Sequence, residues 1–267
     1  MGYRIADFHN DIMTAPGGGD LSALAGEADL CVCALFTGAR SFARIEELAR
    51  LFFAQRREGQ FLSLEDASYL REDRIEEVCS WRPVCISLTW NGENALAGGC
   101  LAEGGLTAKG ERVLREIASR GIALDCAHLN VRSFCDALDL APRIVCSHTC
   151  MYSVHPHPRN LKDRQIREIL DRGGLVGIAL VRAFLGGGGD TEAVFAHFDR
   201  AVQKFGIEGF CLGTDFNGTR DLPAGLEGYA GLQRLADRFI CGGYSERDVE
   251  KLFYENLKNY LAKNGCF

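Results

Sequence analysis

Eight short apolar runs, set along the chain with helical or glycine-rich segments between them, constrain the fold more than any other feature. They are "YRIADF" (3–8), "LCVCALF" (30–36), "FLSL" (61–64), "PVCISL" (83–88), "IALDC" (122–126), "RIVCS" (143–147), "LVGIAL" (175–180) and "FCLGT" (210–214). Continuous apolar stretches of this length are the mark of parallel strands buried on both faces. The stretches 107–120, 161–172 and 191–205 carry apolar residues at helical spacing. Eight strands alternating with helices over about 250 residues is the rhythm of a (β/α)8 barrel, a TIM-like single domain that would occupy 1–267. A doubly wound open sheet is the alternative. No G-x-G-x-x-G follows the first run and no Walker motif occurs, so nucleotide-binding folds lack their usual signature. "GGGG" at 186–189 reads as a mobile loop after the seventh strand and a candidate lid.

Composition narrows the function. Hydrophobic residues at 47% and charged residues at 25% are ordinary for a soluble globular protein. A formal net charge of -6 and the lack of any lysine or arginine run argue against a nucleic-acid partner. The opening "MGYRIADFHND" has neither the charged and apolar regions of a secretory leader nor the Ser or Thr of a myristoylation signal. No apolar run approaches the roughly 18 residues of a membrane span. The expectation is a cytoplasmic protein with no membrane partner. Its twelve cysteines then read as reduced thiols, most of them inside apolar runs and none in a C-x-x-C pair.

Catalytic groups of such barrels stand at the C-terminal ends of the strands. Here the first strand ends in His9 and Asp11, the third in Glu65, the fifth in His128, the sixth in His148 and the eighth in Asp215. Three histidines and three carboxylates around one rim exceed the needs of one tetrahedral zinc, and two divalent ions sharing a carboxylate fit better. Glu65, between the His9/Asp11 and His128/His148 pairs in strand order, is the natural bridge. Each residue alone also has a plainer role: His9 as a satisfied core histidine, Asp11 as a loop cap, Glu65 as the cap of the next helix. Period-two alternation puts Cys126 under His128, Cys146 under His148 and Asp125 toward the helices. A Cys2His2 zinc site from these four cysteines and histidines is formally possible, but its cysteines would lie a layer too deep for an open catalytic metal.

In chain order, "DFHNDI", the glutamate of "SLEDA", "SLTWN", "GLTAKGERVLREIASRGIALDCAHLN", "APRIVCSHT", "HPRNLKD", "LGTDFNGT" with "LPAGLEG", and "ENLKNYL" follow one known pattern. The chain resembles the renal (membrane) dipeptidase family, binuclear zinc peptidases of the amidohydrolase-like barrel type, nearly end to end. The resemblance implies two zinc ions, with His9 and Asp11 on one, His128 and His148 on the other, and Glu65 bridging. It implies that Arg159, with Asn160 beside it, receives the C-terminal carboxylate of a dipeptide, and that Asp215 moves the proton while a metal-bridging hydroxide attacks. A homodimer is compatible with it. His155 and His157 are expected in a loop, and His197 on a helix without a role.

Two departures stand out. Where the family's well-known dipeptidases carry a histidine after the fourth strand, touching the scissile carbonyl oxygen, this chain has Trp90, which offers one N–H and cannot titrate. The chain is also shorter than many relatives between Asp11 and Glu65, so part of the substrate enclosure is expected to be missing. These departures leave two alternatives: a related metallohydrolase acting on another carboxylate-bearing amide, lactone or ester, and a metal-holding homologue without turnover.

Overall fold

All eight apolar runs become strands. In the computed structural model, which describes residues 2–38, 40–70 and 74–267, the strands are β1 (Ala6–Asn10), β2 (Leu30–Phe36), β3 (Gln60–Glu65), β4 (Cys85–Ser87), β5 (Ala123–Asp125), β6 (Ile144–Thr149), β7 (Val176–Ile178) and β8 (Phe210–Leu212). They pair in parallel in sequence order, and β8 closes on β1 through Asp7 and Leu212 to complete the barrel. The helices include α1 (Phe42–Gln55), α2 (Ile75–Ser80), α3 (Ala108–Ser119), α4 (Val131–Ala137), α5 (Asp163–Asp171), α6 (Arg182–Leu185), α7 (Thr191–Phe205), α8 (Leu232–Cys241), α9 (Glu246–Glu250) and α10 (Asn256–Lys263). Side-chain caps start several of them: Ser41, Thr107, Asn130 and Asp190 each accept a backbone N–H from the first turn of α1, α3, α4 and α7. No helix among the described residues is long and apolar enough to cross a membrane.

The core has two layers. The outer one packs the strands against the helices and includes Leu64, Ile86, Cys126 and Cys146 alongside Val113, Ile117, Phe134 and Ile166. The inner one holds Phe8, Val32, Phe61, Cys85, Ala123, Val145 and Cys211, joined by Leu257, Tyr260 and Leu261 of α10. That helix therefore seals the N-terminal end of the barrel, with Tyr260 against Phe8 at 5.8 Å between ring centroids. A fully buried phenylalanine such as Phe8 contributes about 2–3 kcal/mol by transfer alone. The opposite end is left to polar groups. All twelve cysteines are free thiols in the structure.

The layers correct the alternation argument. Cys126 and Cys146 lie in the outer layer, against helices, while Asp125 accepts backbone N–H groups from Ala127 and from Ser147 on the next strand, both at 3.0 Å. Strict period two fails for His128 because β5 stops at Asp125 and the chain turns through left-handed backbone at His128, and for His9 and His148 because their strands carry an extra residue. β1 advances three residues between Asp7 and Asn10 while β2 advances two, and β6 does the same between Cys146 and Thr149 against β7. Such bulges re-aim side chains. They let His9 and His148 reach the barrel mouth. The Cys2His2 arrangement is thereby excluded. The tetraglycine begins as the C-cap of α6, where Gly186 (φ 65°) lies against the His155 ring, so close that a Cβ there would stand 2.4 Å from His155 Nδ1.

Candidate active site

Four strands and their following loops bring five of the expected residues to one point. Glu65, the last residue of β3, is free because Asp66, not Glu65, caps the next turn by accepting the Ser68 N–H. Its Oε1 lies 2.7 Å from His128 Nε2 and 3.8 Å from His148 Nε2, and its Oε2 lies 3.6 Å from His9 Nε2. His9 Nε2 is also 3.2 Å from Asp11 Oδ2, and His128 Nε2 is 3.0 Å from His148 Nε2. The ligand atoms fall into three overlapping clusters: His9, Asp11 and Glu65; Glu65, His128 and His148; and His9, His148 and Asp215. His128 and Asp215 occupy left-handed backbone, at φ 68° and 63°, a conformation uncommon outside glycine that turns both side chains out of their strand direction.

The far nitrogens of the three rings are tied down by residues that sequence reasoning missed. His128 Nδ1 meets Asn91 Oδ1 at 2.8 Å, and the Ser147 hydroxyl lies 2.8 Å from His148 Nδ1 and 3.2 Å from His9 Nδ1. Holding Nδ1 orients a ring and leaves Nε2 to a cation. The sequence signal for both was adjacency: Asn91 follows Trp90 and Ser147 precedes His148. Two buried carboxylates brace the strand ends in the same way. Asp7 accepts N–H groups from His9 and, across the closing seam, Thr214, and Asp125 repeats the pattern with Ala127 and Ser147.

Electrostatics favour a cation here. Burial, assisted by the Arg159 charge, pushes His128 down to about 4, and burial also holds His148 well below the usual range, so both rings are neutral. Burial opposes charge on His9 too, yet Asp11 and Glu65 outweigh it and raise its pKa well above normal. For Glu65, hydrogen bonds from His128 and His9 outweigh desolvation and lower its pKa well below the carboxylate range. Burial raises Asp215 well above its ordinary value, with Asp11 and Glu65 adding to the effect. The donor set fits divalent metal ions: three imidazole Nε2 atoms converging on one carboxylate, that carboxylate ionised and reaching both sides, and imidazole–carboxylate chemistry suited to zinc.

The site opens into a cavity of about 440 Å³ lined by Phe36, Trp90, His128, Arg159, Phe184 and Asp215, among others. Arg159 is buried, its Nη2 donates to the His148 carbonyl, and its Nε has no hydrogen-bond partner among the described residues. Phe184 lies under the guanidinium at 5.2 Å. Trp90 is half-exposed and stands between Phe36, 5.5 Å away, and His128, 6.2 Å away between ring centroids. Asn160 is turned away from the cavity, its amide donating to the carbonyls of His155 and Phe184. His197 is buried on α7 and ties two loops together.

A closed (β/α)8 barrel with a histidine–carboxylate centre at its mouth has the architecture of a metal-dependent hydrolase. The model of the membrane dipeptidase family, peptidase family M19, matches residues 40–262, and the chain belongs to that family. His9 and Asp11 precede the matched stretch. Over 164 residues the chain is 33% identical to an uncharacterized protein in the pqqA 5' region of Klebsiella pneumoniae, a match covering 59% of this chain and 60% of that protein. The chain thus spans less than two thirds of that relative's length. Among solved structures, the dipeptidase AC, a metallopeptidase of family M19, superposes with a TM-score of 0.88 at 21% identity over 99% of both chains. A metallopeptidase from Rhodobacter sphaeroides, liganded with a phosphinate mimic of the dipeptide L-Ala-D-Ala, gives 0.82 at 20% identity over 99% of this chain and 100% of the other.

Proposed function

We propose that this protein is a metal-dependent dipeptidase, hydrolysing dipeptides that carry a free C-terminal carboxylate. The observation that carries the reading is the convergence of three histidine Nε2 atoms on Glu65 within reach of a buried arginine that has an unpartnered nitrogen. His9, Asp11 and Glu65 would hold one divalent ion, His128, His148 and Glu65 the other, with zinc as the expected metal. Bound there, the ions supply the Lewis acidity that activates water and polarises the scissile carbonyl. Arg159 offers a planar fork for the substrate carboxylate, pre-desolvated and without an acidic partner among the described residues. Asp215, raised in pKa at the end of β8, accepts a proton from the attacking water and returns it to the leaving amine.

Trp90 favours a second reading, a related metallohydrolase acting on another carboxylate-bearing amide, lactone or ester, because an apolar wall replaces the histidine expected there. Metal-loaded protein assayed against an L-L and L-D dipeptide library, with C-terminally amidated dipeptides, N-acyl amino acids and lactones alongside, separates the two. Turnover of free dipeptides above all other classes supports the first; turnover confined to the others overturns it. The phosphinate ligand of the Rhodobacter sphaeroides structure mimics L-Ala-D-Ala, so D-residues belong in the C-terminal position of that library.

A further inference from the structure

One hydroxyl serves two histidines that the two-ion reading assigns to different ions. Ser147 Oγ lies 2.8 Å from His148 Nδ1 and 3.2 Å from His9 Nδ1, while its backbone N–H donates to Asp125 Oδ1 at 3.0 Å. A hydroxyl has one hydrogen and two lone pairs. It can donate to at most one of the two rings, so at least one ring donates from Nδ1. When both rings donate, both lone pairs are used and both Nε2 atoms are bare, the arrangement in which each can hold a cation.

The backbone around Ser147 is built to keep it there. A Cβ added to Gly177 on β7 would stand 2.0 Å from the Ser147 carbonyl oxygen, and one added to Gly213, just after β8, would stand 2.0 Å from the same atom. The bulge in β6 turns Ser147 and His148, consecutive residues, toward one site. Asn91 provides a contrast, since it holds the Nδ1 of His128 alone.

We propose that Ser147 is a positioning residue that fixes the tautomer of His9 and His148 together, so that both metal sites depend on a single hydroxyl. This rests on the two-ion reading above. On that reading His9 goes with Asp11 and Glu65 and His148 with Glu65 and His128, while the two rings also meet in a third group with Asp215; loss of the hydroxyl frees one ring at each ion. Outer partners of metal-bound histidines typically contribute about 10- to 100-fold in metal affinity. Ser147→Ala should therefore weaken both ions by that factor, and Asn91→Ala only one.

The test is a zinc titration of the metal-stripped wild type, Ser147→Ala and Asn91→Ala against a chromophoric chelator. It is paired with nitrogen NMR of 15N-histidine-labelled wild type, which needs no variant to fold. The expected result is two zinc ions in the wild type, both weakened in Ser147→Ala and one in Asn91→Ala, with the His148 hydrogen on Nδ1 in the metal-free wild type. A wild type that binds fewer than two zinc ions removes the reading beneath the proposal. Two ions in the wild type, with either affinity unchanged in Ser147→Ala or the His148 hydrogen on Nε2, overturns the role of Ser147 alone.

Discussion

Glu65 Oε1 and His128 Nε2 face each other at 2.7 Å, while His128 Nδ1 faces the Asn91 amide oxygen at 2.8 Å. A neutral ring has one hydrogen for these two acceptors, so one of the two contacts needs a cation or a second proton. Metal reconstitution should yield two divalent ions per chain by elemental analysis, and Glu65→Ala should lose both together with activity. Zinc at a hundredfold excess over its dissociation constant should add about 2.7 kcal/mol to stability, roughly 5–10 °C in melting temperature for a chain this size. One ion, or an unmoved melting point, defeats the dinuclear assignment.

Arg159 is the second test, because its guanidinium is buried and its Nε is orphaned. Losing a charge-assisted hydrogen-bonded pair costs about 2–3 kcal/mol. Arg159→Ala should lower kcat/KM for free dipeptides by roughly 30- to 150-fold while leaving C-terminally amidated substrates nearly unchanged. Arg159→Lys should recover little, since an ammonium cannot form the bidentate fork. An equal loss on both substrate types would show that Arg159 serves only the structure, through its bond to the His148 carbonyl.

Gly218 is pressed against both acidic groups of the β1 and β8 ends: a Cβ there would lie 2.3 Å from Asp11 Oδ2 and 2.3 Å from Asp215 Oδ1. Gly218→Ala must displace one carboxylate or the loop, and activity should fall at least about tenfold, given that an ångström of misplacement can cost far more. Gly228→Ala, where a Cβ meets open space in extended backbone, is the matched control. Unchanged kinetics in Gly218→Ala would mean that the Asp11 and Asp215 carboxylates tolerate displacement.

The barrel was legible because buried parallel strands announce themselves as apolar runs; the helices expected at 107–120, 161–172 and 191–205 appear as 108–119, 163–171 and 191–205. The strand-end residues were legible for the same reason: polar groups at the end of an apolar run have few structural uses. What alternation could not foresee was register. The bulge in β6 is a backbone event with no side-chain signature, so the facing of Cys146 came out reversed; β5 stops at Asp125 and His128 follows in left-handed backbone, so counting in twos back from His128 reversed Asp125 and Cys126 as well. Asn91 and Ser147 were hidden because a residue that holds a ligand from behind looks like any polar residue until the ring it touches is placed.

His197 gives a pH dependence away from the metal centre. Its Nδ1 accepts the Met151 N–H at 2.9 Å, and its other ring nitrogen lies 3.0 Å from the Leu185 carbonyl oxygen, a pattern only the neutral ring can satisfy. Burial pushes its pKa down to about 4 from 6.5. Its contribution is fully present above pH 6.5 and is lost as pH falls from there toward 4, because the unfolded chain takes up the proton first. The ceiling is about 3 kcal/mol. Urea unfolding at pH 7 and pH 5 should show wild type losing roughly 2 kcal/mol more than His197→Gln over that interval; parallel losses would refute the assignment.

Trp90 decides what kind of hydrolase this is. It stands between Phe36 and His128 at the cavity mouth and is 48% exposed, more than a packing role requires. An indole can donate one N–H but cannot place positive charge beside a developing oxyanion, and loss of one such donor typically costs on the order of a hundredfold or more in turnover. If dipeptides are the substrate, the wild type should be slow and should prefer apolar residues on the N-terminal side, where the indole and Phe36 offer a continuous wall. Trp90→His should raise kcat on small dipeptides and weaken that preference, while leaving the zinc affinities unchanged, since no proposed ligand is held by Trp90. Fast wild-type turnover that falls in Trp90→His would assign the indole to a different substrate, one whose own apolar group fills the space between Trp90 and Phe36.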